Sequence, residues 1–84
     1  MKKENQWVVY IIQTTSGKLY TGITNNLERR FSEHLNSKKG AKFFNLSSPK
    51  SIIFHEKHPN RSSATQREIE IKKMSRQKKL ALIT

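Results

Sequence analysis

Tyr10 and Tyr20 stand ten residues apart, each beside a run that alternates like a strand, and Arg30 and His34 follow one helical turn from each other. Phenols and an imidazole can pass protons, and a guanidinium can grip phosphate oxygens, so the set suits chemistry on a phosphate ester. Glu68 adds a carboxylate inside an apolar helical stripe, where it would need a cation or a metal as partner. Each residue also has a plainer reading. A strand tyrosine is ordinarily a packing or hydrogen-bonding residue, Arg30 fits an ion pair with an acidic side chain, and Glu68 fits a pair with Arg30 or a lysine. The combination is what points to a site.

Helical geometry separates these residues from their neighbours. At 3.6 residues per turn, Arg30 falls about 60° from Leu27, on the edge of the stripe Leu27, Phe31 and Leu35, whereas Arg29 lies nearly opposite. His34 is one turn on from Arg30, so both should face the sheet that carries the tyrosines. By the same reckoning Ala64, Glu68 and Ile71 share a face and Glu70 lies away from it. His55 and His58 flank Glu56, but their spacing fits no structural zinc pattern.

The composition limits what surrounds the site. The chain has 84 residues with a hydrophobic fraction of 33%, enough for one domain and one modest core, so no deep cavity is expected. A formal charge of +11 implies a polyanionic partner, DNA or RNA, although a membrane-surface peptide or a ribosomal protein would share it. Cysteine is absent, which excludes disulfides, thiolate catalysis and Cys-ligated zinc. No signal-peptide core and no long apolar run occurs, so a soluble cytoplasmic protein is expected, with no membrane partner.

The elements that must position the site can be read in order. Residues 1–6 are polar and expected to be flexible, and residues 7–84 form the single domain. Trp7 to Ile12 is apolar on both alternating faces, as in a central strand. Thr14 to Gly17 is a turn and Lys18 to Ile23 a second strand, giving a hairpin with the tyrosines on neighbouring strands. Thr24 or Asn25 caps a helix that ends near Asn36 or Ser37. Phe43, Phe44 and Leu46 pack an irregular segment onto the core, and Pro49 precedes a third strand through Ile52, Ile53 and Phe54. Ser62 or Ser63 opens a second helix, with Ser63 and Gln66 as a capping box, running to about Met74; Ser75 caps a short last helix through Ile83. The expected fold is α/β of the α+β kind: a small three-stranded antiparallel sheet flanked by helices.

These residues resemble the GIY-YIG nuclease superfamily, specifically its small stand-alone bacterial members. Trp7 to Ile11 stands in place of the first motif and Leu19 to Thr24 in place of the second. Asn26 to Phe31 with His34 matches the following helix. The likeness continues through Lys39 to Lys42, Ser63 to Glu68 and Ile71 to Arg76 with Lys79 and Leu80, nearly the whole chain. Departures are Val8 and Val9 where Gly and Ile usually stand, Thr21 for Ile, and Ile23 where the family has a cation after the Gly.

The resemblance implies an endonuclease dependent on Mg²⁺ or Mn²⁺, acting on DNA, RNA not being excluded, in repair or recombination. It makes Tyr10 the general base for the attacking water and Tyr20 a holder of the water or a phosphate oxygen, or the two exchanged. It gives Arg30 the scissile phosphate, His34 its orientation or a proton transfer, and Glu68 the metal at the leaving oxygen. Lys38, Lys39, Lys42, Arg61, Lys72, Lys73, Arg76 and Lys78 would contact the backbone, with steep salt dependence. No carrier of sequence specificity stands out, so structure or a targeting protein would choose the substrate, and the oligomeric state is open. The alternative from another class is a non-catalytic nucleic-acid-binding module that retains the fold, suggested by Ile23.

Overall fold

The computed structural model describes residues 6–36 and 47–83. Its elements are β1 (Trp7–Thr14), β2 (Leu19–Thr24), α1 (Leu27–Asn36), β3 (Pro49–His58), α2 (Arg61–Lys72) and α3 (Arg76–Ala81). The strands form one antiparallel sheet in the order β2-β1-β3, so the apolar strand β1 is central, as its two-sided pattern requires.

Alternation along β1 builds two half-cores. Val9 and Ile11 face α2 and are fully buried with Ala64 and Ile71; Trp7, Leu19, Ile23, Ile53, Phe54, Met74 and Leu82 pack around them. Tyr10 and Ile12 face the opposite side, against Leu27 and Phe31 of α1, Tyr20 and Ile52. A register shift between Ile11 and Ile12 opposite β3 lets Ile52 join one half-core while both Ile53 and Phe54 join the other. Pro49 belongs to β3 rather than preceding it. It opens an edge strand, where a missing N–H is tolerated.

The β1–β2 turn is fixed by local hydrogen bonds. The Thr14 N–H donates to the Lys18 carbonyl at 2.9 Å, the Gly17 N–H to the Thr14 carbonyl at 2.9 Å, and the Lys18 N–H to Thr14 Oγ1 at 3.0 Å. Gly17 sits at φ +89°, a conformation that costs glycine nothing and other residues strain. Ser47 ties this turn to the start of β3, with its Oγ 2.7 Å from Ser16 Oγ.

Both long helices are capped by residues other than those expected. Asn26 caps α1, its Oδ1 accepting from the Arg29 N–H at 3.0 Å; Thr24 Oγ1 instead accepts from the Asn26 N–H. Asn60 caps α2 in extended backbone and accepts from the Ser63 N–H at 2.8 Å, so α2 starts at Arg61 and no Ser63–Gln66 capping box forms. The Ser63 hydroxyl meets His58 instead. α2 ends at Lys72, short of Met74, and Ser75 caps α3 as expected, though the helix stops at Ala81. The segment Phe43 to Leu46 lies outside the described residues, as do residues 1–5. Among the described residues no helix is long and apolar enough to cross a membrane.

Candidate active site

Register places the two phenols on one face. Tyr10 pairs with Gly22 and Ile12 with Tyr20, so the tyrosines are diagonal neighbours with ring centroids 6.3 Å apart. The glycine is what admits the first phenol: a Cβ at Gly22 would sit 2.6 Å from Tyr10 Oη, 2.8 Å from its Cζ and 3.2 Å from Tyr20 Cε2. Gly22 is thus a steric requirement of the tyrosine site. Its backbone needs no special conformation, since the only positive-φ glycine described is Gly17.

α1 delivers the other two groups where the helical angles put them. His34 is completely buried, its Nε2 lies 3.0 Å from Tyr10 Oη, and its ring meets Tyr20 edge-on at 5.3 Å. Arg30 donates from Nη1 to Glu33 Oε1 at 2.9 Å and sits near enough to Tyr10 to stabilise its anion. The ion-pair reading of Arg30 is therefore realised, with Glu33 as the partner. The Arg30 side chain stays 31% exposed, against 65% for Arg29, so a phosphate can still reach it.

The electrostatics hold both ring groups neutral. Burial pushes the Tyr10 phenol up to about 12, helped by repulsion from Tyr20 and Glu68 and opposed by Arg30. Burial also pushes His34 down to about 4, with the Arg30 charge adding to the fall and Glu33 partly offsetting it. For Arg30, burial works against the charge, but its bonds to Glu33 and Tyr10 prevail and hold the guanidinium above its ordinary range.

A pH dependence of stability follows. An unfolded histidine takes a proton near pH 6.5, which folded His34 refuses until about 4. Stability present above pH 6.5 is therefore lost as pH falls through that window. Folded Tyr10 keeps its proton to about 12 whereas an unfolded tyrosine releases it near 10, so stability is lost again as pH rises from about 10 to 12. Urea midpoints should be flat near neutrality and fall on both sides, and Tyr10→Phe should flatten the alkaline limb by something on the order of 2 kcal/mol. An alkaline limb unchanged in that variant would refute the assignment.

Glu68 lies on the α2 face that carries buried Ala64 and Ile71, with its side chain 19% exposed, and its charge is felt at Tyr10. Glu70, at 64%, faces out and pairs with Arg67. The Glu68 carboxylate is 3.3 Å from Lys72 Nζ, the lysine pair foreseen as its alternative. Among the described residues no group of three or more His, Cys, Asp or Glu could hold a metal ion. Tetrahedral zinc is not served by this set. A lone, partly open carboxylate does fit Mg²⁺ or Mn²⁺, which keep waters and take substrate phosphate oxygens as further ligands.

Ile23 packs into the Val9 and Ile11 half-core, on the face away from the tyrosines, so the apolar residue there fills the interior. The cation beside Tyr10 is Arg30. His58 bridges β3 to α2: its Nδ1 is 2.6 Å from Ser63 Oγ and its Nε2 2.8 Å from Glu56 Oε1, where Arg67 Nε also donates at 3.1 Å. Burial disfavours the Glu56 charge, but His58 and Arg67 outweigh it and hold the carboxyl below its usual range. His55 is exposed and takes no part.

Of the expected backbone contacts, Lys38, Lys39 and Lys42 lie outside the described residues. Arg61, Lys72, Lys73, Arg76 and Lys78 are exposed on α2 and α3 or between them, and Lys72 pairs with Glu68. Arg61 stacks over Trp7, 5.5 Å from the ring centroid. Gly22 and Glu33 were not foreseen as parts of the site. The Gly after a strand tyrosine, opposite a second tyrosine, was the available signal for the first; an acid three residues after Arg30 was the signal for the second.

Residues 6–81 match the family model described as the GIY-YIG catalytic domain. The chain is 46% identical over 80 residues to the UPF0213 protein plu4503 of Photorhabdus laumondii, covering 95% of this chain and 76% of the relative. Two solution NMR structures share the fold, each at 35% identity. The UPF0213 protein BH0048 of Bacillus halodurans has a TM-score of 0.59, with 93% of this chain and 82% of that one covered. The protein EF2693 of E. faecalis has a TM-score of 0.63, with 98% and 88% covered.

Proposed function

The chain belongs to the GIY-YIG catalytic domain family, and from that premise we propose that it is an endonuclease that uses Mg²⁺ or Mn²⁺ to hydrolyse phosphodiester bonds in DNA. The observation that carries the reading is the buried hydrogen bond between Tyr10 and His34, with Arg30 beside it and Glu68 within electrostatic reach.

The raised Tyr10 pKa argues against a free phenolate as base at neutral pH. A relay avoids one. In the tautomer protonated at Nδ1, His34 Nε2 accepts the Tyr10 proton while Tyr10 Oη takes the proton of the attacking water. The water oxygen bonds to phosphorus, and the bond from phosphorus to the leaving oxygen breaks. Arg30 meets the charge that gathers on the phosphoryl oxygens, and Tyr20, the more open phenol, holds one of them. Burial and the Arg30 charge both disfavour the imidazolium, so His34 returns a proton to Tyr10 as Tyr10 passes one to solvent, and solvent protonates the leaving oxygen. Glu68 would hold the divalent ion, which would supply charge neutralisation during the displacement.

A panel of single-stranded, duplex, flap and branched DNA with Mg²⁺ or Mn²⁺ tests the reading. At least one substrate should be nicked. Arg30→Ala and Glu68→Ala should each lower the rate by about 10²- to 10³-fold, and a chelator should abolish it. Intact DNA throughout the panel, or full activity in both variants, would sink the proposal. The binding-only alternative predicts salt-sensitive binding without cleavage, and a cation at Arg30 beside the phenol favours turnover over it. RNA run at matched salt decides the nucleic acid. A targeting protein is called for only if purified protein shows no preference among the DNA structures.

A further inference from the structure

The far side of the hairpin carries a second cluster that none of the proposed chemistry uses. Lys18, Leu19, Arg76 and Lys79 line an open cleft of about 260 Å³ between the β1–β2 turn and α3. Three of these four residues are cations, brought together from segments far apart in sequence. None of the three makes an ion pair with a carboxylate among the described residues; Glu33, Glu56, Glu68 and Glu70 are committed to partners elsewhere. The chain has no aspartate, and from residue 71 onward it holds five Lys or Arg and no acid.

Like charges that line one cleft repel one another, and an entering anion relieves that repulsion. Arg76 Nη1 donates to the Gly17 carbonyl at 2.7 Å, which fixes the guanidinium at the cleft wall. Leu19 offers an apolar wall beside the cations, which suits the sugar of a nucleotide more than a bare ion. Lys18 precedes Tyr20 by two residues, roughly 7 Å of extended strand, while the alternation of β2 turns Leu19 and Tyr20 to opposite faces. One nucleic-acid strand crossing the outer edge of β2 would therefore meet both places within a few nucleotides.

We propose that the Lys18–Arg76–Lys79 cleft holds a backbone phosphodiester of the nucleic acid, distinct from the scissile one. The assignment deepens the nuclease reading and rests on it for the identity of the polyanion. The cleft orients the strand across β2, and this task falls to Lys18 and Lys79, which the motif likeness does not mark as binding residues, together with Arg76.

The test is metal-free binding of the full chain to short single-stranded and duplex DNA over a salt series. The variant is Lys18→Gln with Lys79→Gln, which leaves Arg76 and its turn contact in place. The charge control is Lys50→Gln with Lys57→Gln, two exposed lysines of β3. The cleft variant should bind at least about tenfold more weakly at low salt, and its log–log salt slope on duplex should shrink by about 1.8, two contacts at about 0.9 each. The control should change far less. Amide shifts of Lys18, Leu19, Arg76 and Lys79 should move when DNA is added to wild-type protein.

Equal losses in the two variants would make the effect one of net charge and overturn the proposal. Shifts absent from those amides would do the same. Inorganic phosphate that moves those amides while DNA does not would identify a free-phosphate site and overturn the backbone assignment. Because no metal is present, these outcomes are independent of cleavage: a chain that binds through the cleft but never nicks DNA would sink the nuclease reading and leave this one standing.

Discussion

Replacing Tyr10 by Phe is expected to lower DNA cleavage by about 10²- to 10⁴-fold, the range for losing a general base. DNA binding should hardly change, because the ring sits 1% exposed and the variant keeps the ring in place. The substitution also removes the hydroxyl that meets His34 Nε2 at 3.0 Å in a buried hydrogen bond. Losing a buried hydrogen bond costs about 0.5–1.5 kcal/mol, so stability should fall as well. The two effects are separable. Cleavage measured well below the unfolding midpoint reports only the chemistry, and urea unfolding reports only the lost hydrogen bond. Tyr20→Phe should lose less activity, since its role is to hold an oxygen. If Tyr20→Phe is the more damaging change, the roles of the phenols are exchanged; if neither matters, the relay is wrong.

Gly22→Ala is expected to match that loss of cleavage although it removes no functional group. The added methyl would stand 2.6 Å from Tyr10 Oη and 2.8 Å from Cζ, inside any contact a carbon tolerates. A phenol ring cannot flex away as a lysine tip would, because Tyr10 lies on the central strand and packs between Tyr20 and His34. Either the ring tilts off His34 or β2 bows outward. Overpacking of this kind costs about 1–3 kcal/mol, and the misplaced oxygen forfeits the relay. Tyr10→Phe and Gly22→Ala should also combine less than additively, since each breaks the same hydrogen bond. A fully active Gly22→Ala protein would show that the phenol need not sit where it does.

Sequence alone distinguished Arg30 from Arg29 and Glu68 from Glu70, because helical angle against an apolar stripe is a local property that survives folding. The three-stranded sheet with a two-faced central strand was legible for the same reason. The helix starts were not. Thr24, Asn25 and Asn26 can each cap a helix, as can Asn60, Ser62 and Ser63, and packing of the helix on the sheet decides among them. Gly22 as the seat of the Tyr10 phenol was hidden too, since that contact exists only once strand register is known. His58 was weighed as a metal ligand but serves as a strut between β3 and α2, a role set by Ser63 and Arg67 from another element.

The Thr14 to Lys18 turn now carries more weight than its size suggests. It fixes which residues of β2 look toward α1, and a strand displaced by one residue exchanges its faces completely. A chain that closed this hairpin one step late would turn Thr21 and Ile23 toward His34 and hide Tyr20 among the aliphatics. It would still be basic and still folded in outline, yet the cluster of Tyr10, Tyr20 and His34 would be broken. Gly17 and the Thr14 hydroxyl therefore act as proofreaders of assembly, separating the register that gathers both tyrosines on His34 from one that parts them.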